Sequence, residues 1–595
     1  MVEILSPIID DNHDHLITYD WADDFSSCTA TAGCAEHAAT ETVKLNKVDL
    51  TVEGGIGTYV YAAEFENTMF GVQTYAPTAE CTVADGVATF TAPAMAGLVP
   101  SHDYVKLGEN EEATFTFYYS ELSAAWDGTA SESLTGSGTA EDPFLIQSAE
   151  DLAYIDVNMT ATENFKGVYF KLTKSIDLGG KSMKIGEYPG WGGRIIFSGI
   201  FDGNNCSIRN LNMTESGMGG GLFSVVKGTV KNLTVYGNVK GDGAMTGGIV
   251  GWLFKENSDV LNTATLENCA SYVKVISTAG EAGGLVGTCQ LGTITNCQNY
   301  GDVIGGDSVG GVAGKASGTI TSSDNFGLVA GTANFNGIYG ANHNSGTPTV
   351  TDCTNYGTIL EAWDGTTATQ PEGTGTADDP YLITSGANLL WIDQQMTATG
   401  DNLGDKYFKM TNDINLGGHA VNIGAYTTGW NADRRFFKGN FDGNGYYVVN
   451  LGLDMTSSGH MGGGLFAVVS GTVKNLTVTG TVKGANKMTG GIVGWLYNGT
   501  LENCVNYVNV TSTAAETGGL VGTSEKGHLI NCVNYGSVTG TDSVGGIAGK
   551  ASGTIEGCVN YGTVSGTSNV AQIYGSIHGS NTPTLTNNEE KGTVK

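Results

Sequence analysis

The stretch GGLVGTSEKGHLINCVNYGSV, residues 518–538, contains the two short elements that decide the fold. It begins with Gly-Gly, two aliphatic residues and a further Gly, and after a polar gap it continues with Asn-Cys-x-Asn-Tyr-Gly. The Gly-Gly element recurs at 247–251, 283–287, 310–314, 490–494 and 545–549. Each copy is followed by a version of the Asn-Cys segment, so the chain is built from a repeated unit.

The repeat has two levels. WDGTASESLTGSGTAEDPFLI from Trp126 and WDGTTATQPEGTGTADDPYLI from Trp363 open two halves that then match segment by segment. Within each half, one column of residues recurs at steps of 28, 26 and 30 residues. It contains Cys269, Cys297, Ser323 and Cys353 in the first half, and Cys504, Cys532, Cys558 and Asn588 in the second. A period of this length is typical of one coil of a solenoid.

The short runs inside each unit are of β type. TITNC, GDVIGG and GGVAG are separated by Gly, Asn, Asp and Ser, and they lack the three-and-four spacing of a helix. We predict a parallel β-helix with three strands per coil and about five or six coils in each half, stacked at the strand spacing. The Asn before each Cys and the aromatic residue after it should form stacked columns. These columns contain Asn268, Asn296, Asn503 and Asn531, and Tyr272, Tyr300, Phe326, Tyr356, Tyr507, Tyr535 and Tyr561.

Three segments outside the repeats complete the predicted architecture. Residues 148–159 and 385–396 have helical spacing and a Ser start, so each predicts a helix that caps a first coil. Residues 1–122 alternate like the strands of a small antiparallel sandwich. The predicted fold class is all-β: a β-sandwich-like module over 1–122, then two tandem parallel β-helix domains over 123–361 and 362–595.

Composition excludes several function classes. The 595-residue chain has a formal net charge of −32 and 90 glycines. Nucleic-acid and anionic-membrane binding need basic patches, so we expect neither nucleic acid nor membrane insertion. No stretch is long and apolar enough to span a bilayer, and the first residues lack the pattern of a signal peptide. We interpret the chain as an extracellular piece of a larger bacterial protein, without its signal peptide and anchor; a cytosolic protein is the alternative.

At the Gly-Gly elements the sequence resembles the GLUG-motif proteins, a repeat family of bacterial surface and secreted proteins. The resemblance covers residues 126–595. The segment YDWADDFSSCTATAGC at 19–34 resembles a module repeated in large surface proteins of gut Firmicutes, although KLNKVDL stands where that module usually has further cysteines. The resemblance implies an extracellular, adhesin-like protein with a β-helical stalk. It implies no catalytic residues, because the family motif is structural.

The cysteines and carboxylates are candidate residues for metal binding, disulfides or catalysis. We interpret the six column cysteines as apolar core residues rather than as metal ligands or disulfides, because other coils have Leu in the same column and zinc-type CxxC spacing is absent. These leucines are Leu211, Leu233, Leu451 and Leu476. Cys28 and Cys34 are a candidate disulfide. A sugar-cleaving enzyme would need paired carboxylates, but the Asp-Gly pairs of this chain are typical of turns. The candidate carboxylates are Asp202, Asp442, Asp307 and Asp542. We expect no cofactor, with calcium as the alternative because the chain is acidic.

Two matched segments are the remaining candidates for a binding site. SMKIGEYPGWGGRIIF at 182–197 and AVNIGAYTTGWNADRRFF at 420–437 are rich in aromatic residues, Gly and Arg. Flat rings beside polar groups suit sugar rings or a protein partner. The candidate ligand-binding residues are Tyr188, Trp191, Arg194, Tyr426, Trp430 and Arg434. The alternative is that the two tryptophans plug the first coils.

The leading functional hypothesis is a non-enzymatic, adhesin-like surface protein. It would bind host or plant glycans or a protein partner, or act as a rigid stalk. The first alternative is a carbohydrate-active enzyme, a glycoside hydrolase or polysaccharide lyase, on a β-helix. The second is a purely structural spacer or filament subunit.

Overall fold

The structure is a computed structural model that describes residues 120–595 apart from a few short segments. Those segments are 161–163, 191–192, 257–263, 400–401 and 428–432. Of residues 1–119 it describes 99–102 and 104 with their side chains, and otherwise only the backbone of the strands. The predicted fold class is confirmed: the described chain is all-β with two helices, and its main feature is a parallel β-solenoid.

One coil shows how the repeat folds. The chain turns at Asn296, whose φ is 52°. The strands of this coil, in chain order, are Thr293–Thr295, Gln298–Asn299, Val303–Ile304, Asp307–Gly310 and Ala313–Ala316. We call the four sides that they form faces 1 to 4, with the second and third strands together on face 2. The prediction of three strands per coil was wrong, because the Gly-Gly pair separates two short strands and so adds a face.

Successive coils pair in parallel on every face, with Thr293 opposite Thr319 on face 1 and Val303 opposite Val329 on face 2. Eight strands stack on face 1 of each solenoid, more than the five or six coils predicted. The first coils were missed because their strands, such as Phe144–Ile146, carry no Gly-Gly element. The four faces have the same spatial order in both solenoids.

The strands of the first solenoid lie on its four faces as follows. Face 1 contains Phe144–Ile146, Tyr169–Leu172, Ile200–Glu215, Thr229–Gly241, Thr265–Glu267, Thr293–Thr295, Thr319–Thr321 and Thr349–Thr351. Ile200–Glu215 and Thr229–Gly241 continue onto face 2, which also contains Ser175–Asp177, Ala270–Ser277, Gln298–Asn299, Val303–Ile304, Asp324–Asn325 and Val329–Ala330. Face 3 contains Thr246–Gly247, Gly280–Gly283, Asp307–Gly310 and Ala333–Asn336. Face 4 contains Phe223–Val226, Val250–Phe254, Val286–Gln290, Ala313–Ala316 and Tyr339–Asn342.

The second solenoid repeats this arrangement. Face 1 contains Tyr381–Ile383, Tyr407–Met410, Asn440–Asp442, Thr472–Lys474, Thr500–Glu502, Val521–Ile530, Ala548–Glu556 and Thr584–Thr586. Face 2 contains Ile414–Asn415, Tyr447–Met455, Thr477–Gly484, Val505–Ser512, Val533–Asn534, Val538–Thr539, Val559–Asn560, Thr563–Ser565, Glu589–Glu590 and Thr593–Val594. Face 3 contains Thr517–Gly518, Asp542–Gly545 and Ser568–Ala571. Face 4 contains Phe466–Val469, Val493–Tyr497 and Tyr574–Ile577, together with the first parts of Val521–Ile530 and Ala548–Glu556.

The strands before the solenoids pair mainly in antiparallel fashion. They are Ile17–Trp21, Cys28–Ala32, Thr40–Val43, Asp49–Thr51, Gly57–Asn67, Gly71–Ala84, Val87–Thr91, Leu98–Pro100, Tyr104–Leu107, Glu112–Thr114 and Thr116–Ala125. The last of them also pairs in parallel with Ser175–Asp177 of the first solenoid, so one strand crosses the predicted boundary at residue 122. The predicted domain boundaries stay predictions, and the candidate disulfide between Cys28 and Cys34 lies outside the side chains described.

Both predicted helices are confirmed. Helix α1 covers Ala149–Val157, and the Ser148 hydroxyl caps it by accepting the N–H of Asp151. Helix α2 covers Gly386–Thr399. Their buried apolar residues belong to the cores of the first coils, as expected of caps that close an open solenoid end.

The predicted asparagine column is also confirmed. Asn296 donates to Asn268 at 2.7 Å, and Asn268 donates to Asn232 at 3.2 Å. In the second solenoid Asn503 donates to Asn475 at 3.3 Å. All four predicted corner residues, Asn268, Asn296, Asn503 and Asn531, have φ angles of 51–52°. Asn tolerates this left-handed conformation better than most residues, which explains its place at the corner.

A second asparagine column, which was not predicted, runs inside each solenoid. It is formed by Asn residues that directly precede a residue of the aromatic column. Asn506 donates to Asn534, and Asn534 to Asn560, both at 2.8 Å, and all three side chains are fully buried. Each also donates to a backbone carbonyl two residues further on, as Asn534 does to Gly536. The column therefore satisfies buried backbone groups that the short strands leave unpaired.

The predicted aromatic column stacks on face 2. Neighbouring rings are parallel within 4–12°, with centroids 4.6–4.9 Å apart. In the first solenoid, residues before the solenoid cover this column: Tyr104 packs edge-on against Tyr272, and Tyr236 donates to the carbonyl of Ser101. The column is thus a packing surface.

The cysteine column lies in the core. Every cysteine whose side chain is described is a free thiol, and most are fully buried. Burial raises the pKa of the column thiols Cys269 and Cys532, which favours the unreactive thiol form. The predicted core role of the column is confirmed for the described residues.

The two solenoids have separate cores and lie side by side, in contact through their second faces. Early coils of one lie beside late coils of the other. Lys240 in the first solenoid contacts Asn509, and Asn415 at the start of the second donates to the carbonyl of Gly331. Ile276, Ile304, Ala330, Val449 and Tyr507 form an apolar cluster between them.

Candidate functional site

The two matched segments fold over face 4 of their solenoids. Each forms a small antiparallel hairpin, with Glu187 opposite Ile195 in the first and Tyr426 opposite Arg434 in the second. Four of the six predicted binding residues, Tyr188, Arg194, Tyr426 and Arg434, lie in these hairpins. Trp191 and Trp430 lie outside the described residues, so their role stays a prediction.

In the first solenoid the hairpin completes a closed aromatic cluster. Tyr188 packs edge-on against Trp252, with ring centroids 5.3 Å apart, and the two side chains are only 4% and 2% exposed. Arg194 lies over the rings of Trp252 and Phe254, at 5.8 and 5.3 Å from their centroids. Burial raises the pKa of Tyr188, an effect that the charge of Arg194 opposes. Tyr188 is therefore not accessible to a ligand. In the first solenoid the matched segment forms a small buried cluster on the outside of the coil, separate from the main core.

In the second solenoid the corresponding cluster is half-open. Trp495 occupies the position of Trp252, and Tyr426 packs edge-on against it at 5.0 Å. Phe436 lies 5.6 Å from Trp495, and Tyr497 lies 5.2 Å from it. These four aromatic side chains are all partly exposed. We call Tyr426, Phe436, Trp495 and Tyr497 the open aromatic cluster.

An exposed arginine borders the open aromatic cluster. The guanidinium carbon of Arg434 lies 5.8 Å from the centroid of Tyr426, and the side chain is exposed. The indole N–H of Trp495 is buried and has no hydrogen-bond partner among the described residues. Partly exposed aromatic rings and an exposed guanidinium thus meet at one surface, a combination suited to sugar rings with oriented hydroxyl or carboxylate groups.

Three substitutions distinguish the two clusters, and one of them places the partly exposed Tyr497 where the first solenoid has the buried Phe254. Phe436 stands where the first hairpin has the buried Ile196, and Arg435 stands where it has Ile195. Arg435 forms ion pairs with Asp393 of helix α2 at 2.7 Å and with Asp433 at 3.0 Å. Burial raises the pKa of Asp393, against the hydrogen bond from Gly424 and the charge of Arg435. The second hairpin is therefore held to the cap helix by an ion pair of Arg435. The first hairpin has the apolar Ile195 at this position and cannot form such a pair.

A polar row continues from the open aromatic cluster along face 4. Thr523 is the neighbour of Trp495 in the next coil, and its hydroxyl donates to Glu516 at 2.9 Å. Glu516 is buried and pairs with Lys550 at 3.1 Å and Lys487 at 3.5 Å. The first solenoid has the same row in Thr288, Glu281 and Lys315. The presence of this row in both copies indicates a structural role.

The candidate carboxylates are engaged in turns. Asp202 accepts from Asn232 at 2.9 Å and pairs with Lys231 at 3.4 Å, and Asp442 has the same contacts in the second solenoid. Asp307 and Asp542 accept from neighbouring Ser and Asn side chains. Hydrogen bonds from Ser568, Asn569 and Ser543 lower the pKa of Asp542 to about 2.

Asp442 nevertheless lines a shallow groove of about 290 Å³ on face 1 of the second solenoid. The groove is also lined by Tyr407, Lys409, Lys474 and Glu502. Within the described part of the chain, no three His, Cys, Asp or Glu residues are grouped so that they could hold a metal ion. None of its helices is long and apolar enough to cross a membrane.

Sequence reasoning missed Trp252 and Trp495, which form the centre of each cluster. The signal was present: both follow a Gly-Gly element at a position where later coils have Thr288 and Lys315. A large residue in one coil of a regular column indicates that something packs on the outside of that coil.

Comparisons with known proteins give partial matches. No family model matches the chain. A protein of Evansella cellulosilytica, provisionally named a Gly-rich membrane protein, is 34% identical over 133 residues, which cover 20% of this chain and 14% of that protein. Halomucin of Haloquadratum walsbyi is 30% identical over 198 residues, which cover 32% of this chain and 2% of halomucin. The chain thus spans a small part of the length of both relatives.

One solved structure also matches. It is a Bacteroides ovatus protein provisionally named an immunoglobulin A1 protease, with 15% identity and a TM-score of 0.28. The match covers 63% of this chain and 79% of the other.

Proposed function

We propose that the chain is part of a bacterial extracellular or cell-surface protein and that its open aromatic cluster binds glycans. The location is supported by the resemblance to GLUG-motif proteins and to surface modules of Firmicutes. The names of the partial relatives, a membrane protein and halomucin, are compatible with it. The net charge of −32 suits a protein exposed to solvent.

The difference between the two matched clusters supports the binding site. Equivalent residues are buried around Trp252 but half-open around Trp495, although the surrounding coils repeat closely. Packing alone would favour closing both clusters, because each exposed aromatic ring forgoes stabilisation by burial. An open cluster beside the exposed Arg434 is a typical arrangement for stacking against a sugar ring.

The proposed role is non-catalytic. Asp202 and Asp442 belong to different solenoids, and each is held by an Asn side chain and a Lys. The other carboxylate of the face 1 groove, Glu502, lies two coils from Asp442, with Lys474 between them. A glycosidase would need two carboxyl groups about 5–10 Å apart across one bond. We expect no release of reducing ends or unsaturated sugars from any glycan that binds. Such release, lost in Asp442→Asn, would favour the enzyme alternative.

The test is a binding screen against mucin and against host and plant glycans. Tyr497→Ala and Arg434→Gln should each weaken binding, with about tenfold or more for the aromatic ring. Tyr407→Ala removes an exposed aromatic residue in the face 1 groove and serves as the matched control. Binding that is lost in Tyr407→Ala and kept in Tyr497→Ala would place the site in the groove instead.

A spacer role is the second candidate. It is supported by the side-by-side packing of the two solenoids, which join through an apolar cluster and make a stiff unit. Failure of every glycan to bind, with folded protein, would favour this role or a protein partner.

A further inference from the structure

One fully buried lysine lies at the contact between the two solenoids. The Lys240 side chain is 1% exposed, and its Nζ lies 2.5 Å from Oδ1 of Asp242 and 2.7 Å from Oδ1 of Asn509. Lys240 belongs to the first solenoid, and Asn509 belongs to the second, 269 residues later. A primary amine, a carboxamide and a carboxyl group thus meet at this contact, with the amine fully buried and the other two groups partly exposed.

Further hydrogen bonds fix the orientation of the carboxamide. Its Nδ2 donates to Oδ1 of Asp242 at 2.6 Å and to the hydroxyl of Thr278 at 3.0 Å. Its Oδ1 also accepts the backbone N–H of Ser537 at 3.0 Å. The N–H of Ser537 on the carbonyl oxygen polarises the C=O bond and stabilises negative charge that develops there. The amide nitrogen is held against the carboxyl group of Asp242.

Burial favours the reactive protonation state of the amine. It lowers the pKa of Lys240, against the charge of Asp242. It raises the pKa of Asp242, but the charge of Lys240 and three hydrogen bonds outweigh this effect and the pKa is lowered overall. Transfer of one proton from Lys240 to Asp242 leaves a neutral amine and a neutral acid, and the lowered pKa of Lys240 reduces the cost of this transfer. A neutral lysine amine is a nucleophile toward carbonyl carbon.

We propose that an isopeptide bond joins Lys240 to Asn509 and cross-links the two solenoids. Nζ attacks Cγ of Asn509, the Cγ–Nζ bond forms, and the Cγ–Nδ2 bond breaks. Asp242 accepts a proton from Nζ and returns a proton to Nδ2, which leaves as ammonia. One amine and one primary amide become one secondary amide and ammonia, so the reaction requires neither an oxidant nor a cofactor.

The duplication supplies a matched control. In the second half, Lys483 stands at the position of Lys240, and Ala485 stands at the position of Asp242. In the first half, Lys274 stands at the position of Asn509. Lys483 is exposed, so the counterpart position lacks the carboxyl group, the carboxamide and the burial. We expect a single cross-link.

Intact-mass spectrometry of the purified, folded chain tests the proposal. The mass should be one ammonia below that of the sequence, and proteolysis should yield a branched peptide that contains Lys240 and Asn509. Asp242→Ala and Lys240→Arg should restore the full sequence mass, whereas Lys483→Arg should keep the loss of ammonia.

The branched peptide decides between two sources of the same mass change. A succinimide at Asn509 also loses ammonia, but it leaves Lys240 in a linear peptide. The proposal is overturned if the wild-type chain has the full sequence mass, or if the ammonia is lost and Lys240 is recovered unlinked. The wild-type measurement decides alone if the variants fail to fold.

Discussion

Gly519 lies directly against the side chain of Asn534 inside the second solenoid. A Cβ at position 519 would stand 2.5 Å from Cγ of Asn534 and 2.1 Å from the carbonyl oxygen of Gly546. Gly491 and Asn506 have the same relationship one coil earlier. The Gly-Gly element and the Asn-Tyr element of the repeat therefore depend on each other, because only Gly leaves enough space for the buried Asn column.

Gly519→Ala should destabilise the protein. The added methyl group would clash with the backbone of Gly546 and with Asn534, whose side chain is hydrogen-bonded on both sides. Neither group can move away without a loss of stability. Overpacking of this kind costs about 1–3 kcal/mol of unfolding free energy. Urea unfolding followed by circular dichroism would measure it. Gly459→Ala is the control, because nothing lies within 4 Å of a Cβ at that exposed position, and an equal loss in both variants would contradict the argument.

Asn534→Ala should be costly for a different reason. It removes a side chain that donates to Asn560 and Gly536 and accepts from Asn506. Each buried group left without a partner costs about 1–3 kcal/mol. The comparison is Asn503→Gly in the outer column, where one 3.3 Å bond is lost at an exposed corner and Gly suits the positive φ. Thermal unfolding of the two variants should therefore differ clearly, with Asn534→Ala the less stable.

The fold class and much of the register could be predicted from the sequence. The columns of Asn296 and Tyr300 follow from a fixed period, because identical residues at equal steps must stack in a solenoid. The buried column that contains Asn534 could not be predicted in this way, because an Asn before Tyr-Gly is equally typical of an exposed turn. The antiparallel packing of the two solenoids depends on contacts such as Lys240 with Asn509, which no period encodes.

The candidate site could be predicted only in part. The matched hairpins stood out by composition, and Arg434 is exposed as a binding residue must be. Whether each cluster is open or closed depends on Ile196 in one copy and Phe436 in the other, and on their neighbours from later coils, Phe254 and Tyr497. Sequence neighbours alone do not reveal such contacts.

Trp252→Ala should destabilise the protein more than Trp495→Ala. Trp252 is 2% exposed and packs against Tyr188, Phe254 and Arg194, whereas Trp495 is partly exposed. Truncation of a buried Trp costs about 3–5 kcal/mol, and the cost falls with exposure. Urea unfolding of the two variants makes the comparison. Equal losses would mean that both clusters are closed in solution and would remove the basis for the proposed binding site.

The stability of the protein should fall between pH 10 and pH 12 because of Tyr535. Burial, with the neighbouring Tyr561, raises the pKa of Tyr535 to about 12 from a usual value near 10. The unfolded chain releases this proton near pH 10, while the folded chain holds it, so unfolding becomes more favourable as the pH rises through this window. The contribution is fully present below pH 10 and is lost as the pH passes 12. Urea midpoints across this range should fall less steeply in Tyr535→Phe than in the wild type. The control is Tyr407→Phe, which changes an exposed tyrosine and should keep the wild-type dependence of the urea midpoint on pH. If Tyr535→Phe also keeps that dependence, the raised pKa of Tyr535 does not contribute to stability.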